Sequence, residues 1–480
     1  MIVQKILIQW ILEPLSGISN RVPTKIRNSI FVISGLMIFF AHFVYQSERF
    51  TFRYLFLFAF DCLMAGLMLF FSLPKKISPI KFDKLLLLPW YGVAVMALIA
   101  GLTKSEDYLP DAMLYLVMYP VFFLVWNNSN FRTIQKKLIL IVQLSFVIFL
   151  SINLLFFPIT GRQYSGFFSN VNGVSVYLVL VFACSQQSIV SNQKIRFCLI
   201  CNYVFLGMGA ALVVYSNSRT GQLALITTFC LTAGLLFFIN RCDYGRLLVR
   251  RLLPAVLSIV IFFPATLYVF QIPEKATQIV SEISTLGQPG EPISEQPIEP
   301  LPEQSVEPPP EQSSNPTPST SEKLDSIISY NEMKTDVDDR TLDQISTGRL
   351  SIWKAYCERI SFWGHSNVTD KFTISLTHYS EERNVMSSTA HQTILEFAYR
   401  FGFLAGLCYL AFNITAGLKS IRYAQKNSSD SYAIMPFVIT IAFGSMSLVT
   451  SFSGSFYDMI VFYYYLIQTP LIRKESTVDA

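Results

Sequence analysis

Three residues able to do chemistry stand where an apolar stretch begins or resumes: Arg219 in YSNSRTG, Arg349 in TGRLSIW and His391 in AHQTILEFAYRFGFLAG. A guanidinium is planar, forked and permanently charged, so it matches the oxygens of a phosphate. An imidazole titrates near neutral pH and can take a proton from a hydroxyl. Together these groups suit chemistry on an anionic substrate at a membrane surface. Further candidates for binding substrate are Arg162, Asn170 and Asn172 in GRQYSGFFSNVNG, and Glu396 and Arg400 beyond His391.

Each candidate also has a structural reading. A lone arginine at a helix end snorkels to the interface; Arg219 is set apart by the short polar neighbours Asn217, Ser218 and Thr220. The Gly/Asn-rich run around Asn170 reads equally as a turn. Glu396 and Arg400, four apart in the favourable order, read equally as a structural pair. Arg349 opens TGRLSIWKAYCERI, whose apolar Leu350, Ile352, Trp353, Tyr356 and Ile360 predict an amphipathic helix. A cation at a helix N-terminus opposes the dipole, and it makes sense there if an anion docks. His42 and Asp61 fall inside apolar spans, and Asp107 and Asp111 have no partner nearby in sequence. With no HExxH, no His/Cys cluster and no paired-acid motif, neither a metal nor another cofactor is indicated.

The elements that position these residues follow from composition. Of 480 residues, 52% are hydrophobic and only 14% charged, against about 25% charged in a soluble protein. About twelve apolar stretches are long enough to cross a bilayer: roughly 28–46, 54–73, 85–103, 111–127, 138–157, 171–189, 197–215, 221–240, 252–270, 392–416, 432–451 and 456–472. The expected fold is an all-α polytopic integral membrane protein, because lipid forces each span to bond its own backbone. One large, partly helical external loop separates spans nine and ten. The stretch Ile2 to Leu12 is too short to span and reads as an interfacial helix.

Lys and Arg gather at alternate connections, including Lys75, Lys76, Lys81, Lys84, Arg250 and Arg251, which places both termini in the cytoplasm. The net charge of +5 is therefore a topology signal and gives no reason to expect nucleic acid. The chain divides into a cytoplasmic or interfacial N-terminus (1–27), spans one to nine (28–270), the external loop (271–391), spans ten to twelve (392–472) and a cytoplasmic tail (473–480). Within the loop, 287–321 is crowded with Pro, Glu, Gln and Ser and buries too little apolar area to fold. Residues 340–391 carry the chemistry-bearing part, and Trp353, Phe362, Trp363 and Phe372 are expected at the membrane interface.

Several motifs resemble a known family. TGR followed by Trp353, then Trp363-Gly364-His365, then His391, Gln392, Leu395, Phe401, Gly402 and Gly406 look like the O-antigen ligase and polymerase superfamily. Ser218–Gly221 and the run from Gly166 to Asn172 match its membrane half. Two departures are Gln392, where the family usually carries Asn, and the Pro/Glu-rich insert.

The resemblance implies a glycosyltransferase of the bacterial cytoplasmic membrane. It would move a glycan from an undecaprenyl diphosphate carrier to an acceptor hydroxyl on the outer face. Arg219 and Arg349 would hold the diphosphate and His391 would act as base, giving one inverting displacement without a metal. Implied partners are the lipid-linked oligosaccharide, the acceptor and, for a polymerase, a chain-length regulator. A polymerase of capsule, exopolysaccharide or O-antigen is favoured, since an external proline-rich tether suits a protein facing a thick wall. A ligase passing the finished glycan to another molecule is the alternative. A lipid-linked sugar transporter or flippase is less favoured, because no repeat relates the two halves.

Overall fold

The computed structural model describes residues 2–46, 54–157, 159, 163–168, 170–191, 196–239, 243–286, 349–366, 372–378, 381–386, 389–452 and 459–474. Arg162 and the Pro/Glu-rich stretch lie outside the described residues. In chain order the main helices are α1 (Thr24–Gln46), α2 (Tyr54–Ser72), α3 (Lys84–Thr103), α4 (Glu106–Asn127), α5 (Phe131–Phe156), α6 (Val171–Val190) and α7 (Arg196–Tyr215). They continue with α8 (Arg219–Ile239), α9 (Leu253–Leu286), α10 (Arg349–Arg359), α11 (Thr393–Phe401), α12 (Phe403–Lys426), α13 (Met435–Ser447) and α14 (Met459–Ile467).

Among the described residues, nine helical stretches are long and apolar enough to cross a membrane, and α2 and α13 are shorter apolar helices. The protein is an all-α polytopic membrane protein. Local sequence marks where spans begin. Asp83 caps α3 by accepting from the Leu85 N–H at 2.8 Å, Asn130 caps α5 through the Thr133 N–H at 3.3 Å, and Asn170 caps α6 through the Asn172 N–H at 2.7 Å. Each cap satisfies a donor that the first helical turn leaves without a partner.

α6 is the centre of the bundle. Every residue from Val174 to Val190 is buried, including the polar Ser175, Ser185, Gln186, Gln187 and Ser188, so neighbouring helices enclose it on all sides. A second knot of packing joins α3, α4, α12 and α14. Trp90 meets Tyr115, Tyr119, Phe123, Phe412 and Tyr465 at ring distances of 4.8–5.4 Å, and its indole N–H donates to the Tyr115 carbonyl at 2.8 Å. Burying aromatic area while satisfying the one polar atom is the condition for a tryptophan in a core. His42 on α1 and Asp61 on α2 are each other's partner, 2.9 Å apart and both buried.

The ends of the bundle are fixed by contacts between distant segments. At one end the starts of α6 and α8 meet, with the Ser218 hydroxyl donating to Asn172 Oδ1 at 3.3 Å. At the other end Gln187 Nε2 donates to the Ser431 carbonyl at 2.8 Å, and Ser431 Oγ donates to the Ser191 carbonyl at 3.1 Å.

The structure differs from the sequence expectation around the long loop: α9, expected to end at residue 270, runs on to Leu286. The stretch expected as one span over 392–416 is two helices, α11 and α12, broken at Gly402. The segment between α10 and α11 also contains a hairpin, β1 (Thr373–His378) and β2 (Glu381–Met386), antiparallel with Thr373 opposite Met386 and His378 opposite Glu381.

Candidate active site

A small separate core holds the returning loop against the bundle. Tyr356 of α10 is buried between Phe372 (5.2 Å between ring centres) and Tyr399 of α11 (4.8 Å), with Ile374 and Ala390 beside it. Phe372, expected at the membrane interface, therefore belongs to this core, and the Arg359 guanidinium covers its ring at 4.2 Å. Phe362 and Trp363 remain about half exposed, as an edge-on pair. His365 lies flat on Tyr399, with ring centres 4.5 Å apart, and bonds the Arg359 carbonyl through Nε2 at 2.7 Å.

Two glycines lock this turn to the start of the bundle. Gly364 (φ +80°) and Gly402 (φ +98°) both hold backbone that side chains rarely adopt. A Cβ on Gly402 would lie 2.1 Å from the Phe362 carbonyl oxygen, and one on Gly364 would lie 2.1 Å from that of Arg400. The Phe403 N–H donates to the Ser361 carbonyl at 2.9 Å and the His365 N–H to the Arg400 carbonyl at 3.3 Å, so the two turns are stitched backbone to backbone. The Tyr108 hydroxyl of α4 adds a bond to the His365 carbonyl at 2.8 Å. Gly402→Ala is expected to cost more than the roughly 1–3 kcal/mol of strained backbone alone, because backbone carbonyl must also move. The measurement is the yield of monodisperse protein and its unfolding midpoint in detergent; a midpoint like that of the parent would refute the packing account.

His391 sits on the loop that enters α11, at φ +50°. The Ala390 N–H donates to Glu396 Oε2 at 2.7 Å, and Glu396 in turn pairs with Arg400 at 2.5 Å. Gln392 caps α11 by accepting from the Leu395 N–H at 2.6 Å, and its own N–H donates to Ser451 Oγ at 3.0 Å. Residues on both sides of His391 are thus held by α11 and by the turn after α13. The imidazole is open to solvent, with Nδ1 3.4 Å from Thr389 Oγ1. The chain around it still withdraws enough water to hold its pKa below the ordinary histidine value. The Arg349 charge lowers it further, and Glu396 pulls the other way.

Arg349 is the first residue of α10 and is half-buried. Withdrawal from water lowers its pKa, and so does the charge of Arg219. Arg219 is exposed on the first turn of α8. That turn is built by Ser218, whose Oγ accepts from the Gly221 N–H at 3.2 Å and from Ser175 Oγ at 3.0 Å. Arg219 acts electrostatically on Arg349, and Arg349 acts on His391. Three helix starts separated widely in sequence bring one field of charge to one end of the bundle.

Residues 204–410 match the family model described as O-antigen ligase. Over that stretch the chain is similar to the O-antigen ligase and polymerase superfamily. No curated protein matches the chain significantly. The matched stretch runs from α7 into α12 and includes Arg219, Arg349, His391, Glu396 and Arg400. The protein is therefore a multi-pass membrane protein of the kind that processes lipid-linked glycan, with a broadly glycosyltransferase-like activity.

The remaining candidates fall differently within this O-antigen ligase frame. Asn170 and Asn172 precede the matched stretch and are engaged in the turn, Asn170 as a cap and Asn172 with Ser218. Glu396 and Arg400 form an ion pair beneath the His391 loop, with side chains only 3% and 15% exposed. Asp111 on α4, for which the sequence offers no partner, is buried and acts electrostatically on Arg400. The Tyr108 and Asp111 contacts escape a sequence reading, since each reaches across more than two hundred and fifty residues. The signal available was the placement of polar residues at the start of an apolar span.

Proposed function

We propose that this protein is a polymerase that joins undecaprenyl-diphosphate-linked oligosaccharide repeat units on the outer face of the bacterial cytoplasmic membrane. The reading is carried by a chain of neighbours at one end of the bundle: the Arg219 charge lowers the pKa of Arg349, and the Arg349 charge lowers that of His391. Two guanidiniums near one another repel, and a diphosphate placed between them relieves that repulsion. The same group is the handle of the donor and the leaving group of the reaction. In the proposed step the acceptor hydroxyl attacks the sugar C1 while His391 Nε2 takes its proton. The C1–O bond to diphosphate breaks, its electron pair stays on the diphosphate, and configuration at C1 inverts. Fixed positive charge is most effective where negative charge develops, and here it meets the departing diphosphate.

The distribution of Lys and Arg supports the orientation, with both termini in the cytoplasm and the chemistry outside. Ligase and polymerase differ only in acceptor, so one experiment separates them. Purified protein given lipid-linked repeat unit alone is expected to build a ladder of longer lipid-linked products, resolved by gel. Elongation that appears only on adding a different acceptor would overturn the polymerase reading in favour of a ligase.

A further inference from the structure

We infer a binding site for a phospholipid of net negative headgroup in the leaflet opposite the Arg219–Arg349–His391 end. A groove of about 740 Å3 runs between α5 and α7. Its walls include Leu140, Leu144, Val147, Phe197 and Phe205, and its mouth is formed by Arg132, Lys136 and Tyr432. Tyr432 adjoins Ser431, which bonds to the far ends of α6, so the mouth lies at the end of the bundle away from His391.

Length, volume and charge each narrow the occupant. From Arg132 to Val147 an α-helix rises about 22 Å, which is half of a bilayer of about 40–45 Å including headgroups. The groove therefore has the depth of one leaflet. A helix of that length fills roughly 2,000 Å3 at a diameter of about 10–12 Å, so the space is too small for a span of another protein or a second copy. Leu140, Leu144 and Val147 are about 40% exposed and Phe197 is 73% exposed, so the wall opens toward hydrocarbon. The polar groups in its floor are satisfied internally: Gln143 Nε2 donates to Asn202 Oδ1 and to Ser188 Oγ, and Asn202 Nδ2 donates to the Cys198 carbonyl. What the floor asks for is an acyl chain.

The mouth asks for an anion. The Arg132 guanidinium and the Lys136 ammonium lie 5.4 and 5.5 Å from the centre of the same Tyr432 ring. Asp430 stands 3.5 Å from Arg132 Nε and offsets one of the two charges. One positive charge remains beside an apolar slot, the complement of a singly negative headgroup. A guanidinium has five N–H donors, so pairing through Nε leaves capacity for phosphate oxygens.

The test uses the full chain in nanodiscs with phosphatidylglycerol or phosphatidylcholine, each carrying a photoactivatable acyl chain. The parent is expected to capture phosphatidylglycerol about fivefold more than phosphatidylcholine, with label on peptides from 138–147 or 197–205. Arg132→Gln combined with Lys136→Gln should bring the two lipids to equal capture. Leu140→Trp should lower both, and Arg246→Gln, outside the groove, should leave the preference intact. Equal capture by the parent would overturn the proposal, as would a preference that survives the double substitution. Should the double variant fail to fold, the parent's labelling decides: label confined to other helices refutes the site.

Discussion

Replacing His391 with alanine is expected to lower glycan transfer by about a hundred- to ten-thousand-fold, the range that a positioned general base contributes, while the protein should still assemble in the membrane. The reason is geometric as well as chemical. His391 stands at φ +50° on a loop held on both sides, by Glu396 through the Ala390 N–H and by Ser451 through the Gln392 N–H. Histidine and asparagine occupy that left-handed region several-fold more often than alanine does, so alanine adds a backbone cost of about 0.5–1 kcal/mol, which could be mistaken for a catalytic effect. His391→Asn separates the two, because asparagine tolerates the same conformation but takes no proton at neutral pH. Both variants should be inactive, and only alanine should lower the unfolding midpoint. Transfer by the asparagine variant near the parental rate would remove His391 as base. The pH profile carries the same assignment. A base works when neutral, and the environment holds this imidazole below its ordinary value of 6.5. Activity in kcat/KM should therefore persist as pH falls through 6.5 and decline only below it.

The apolar spans could be read from sequence because lipid leaves a chain almost no alternative to a helix. What a hydropathy window cannot register is a turn inside an apolar run. The break at Gly402 separates α11 from α12 although Phe401 and Phe403 flank it, since the backbone there must pass within contact of Phe362. The hairpin of 373–386 was only half legible: Phe372, Ile374 and Leu376 alternate with Thr373, Ser375 and Thr377, but EERNVM carries no such alternation to announce a partner strand. The site divides the same way. Arg219, Arg349 and His391 were visible because each stands at a boundary between polar and apolar sequence, where an isolated charge is conspicuous. Their surroundings were not. The Ala390–Glu396 bond, the Tyr108–His365 bond and the field of Asp111 on Arg400 depend on which helices become neighbours. Glu396 and Arg400 illustrate the limit, for their spacing foretells a pair but says nothing of the loop that the pair supports.

Arg349→Gln and Arg219→Gln are each expected to reduce kcat by about a hundred- to a thousand-fold, the effect of removing one donor from a site where charge develops. The loss should fall mainly on kcat, since the leaving diphosphate gains charge as the glycosidic bond breaks. Lysine at either position restores the charge without the fork and should recover only part of the rate. The two arginines act on one another, so the double variant should lose less than the product of the single losses. A second readout distinguishes them. Arg349 lowers the His391 pKa, so Arg349→Gln raises it and moves the acidic limb of kcat/KM to higher pH. Arg219 acts on Arg349, and Arg219→Gln should leave that limb near its parental position. This pairing of outcomes is demanding. Arginines that only anchor the helices in the interface would change neither kcat nor the limb, and arginines that only attract the anionic lipid would raise KM with kcat intact.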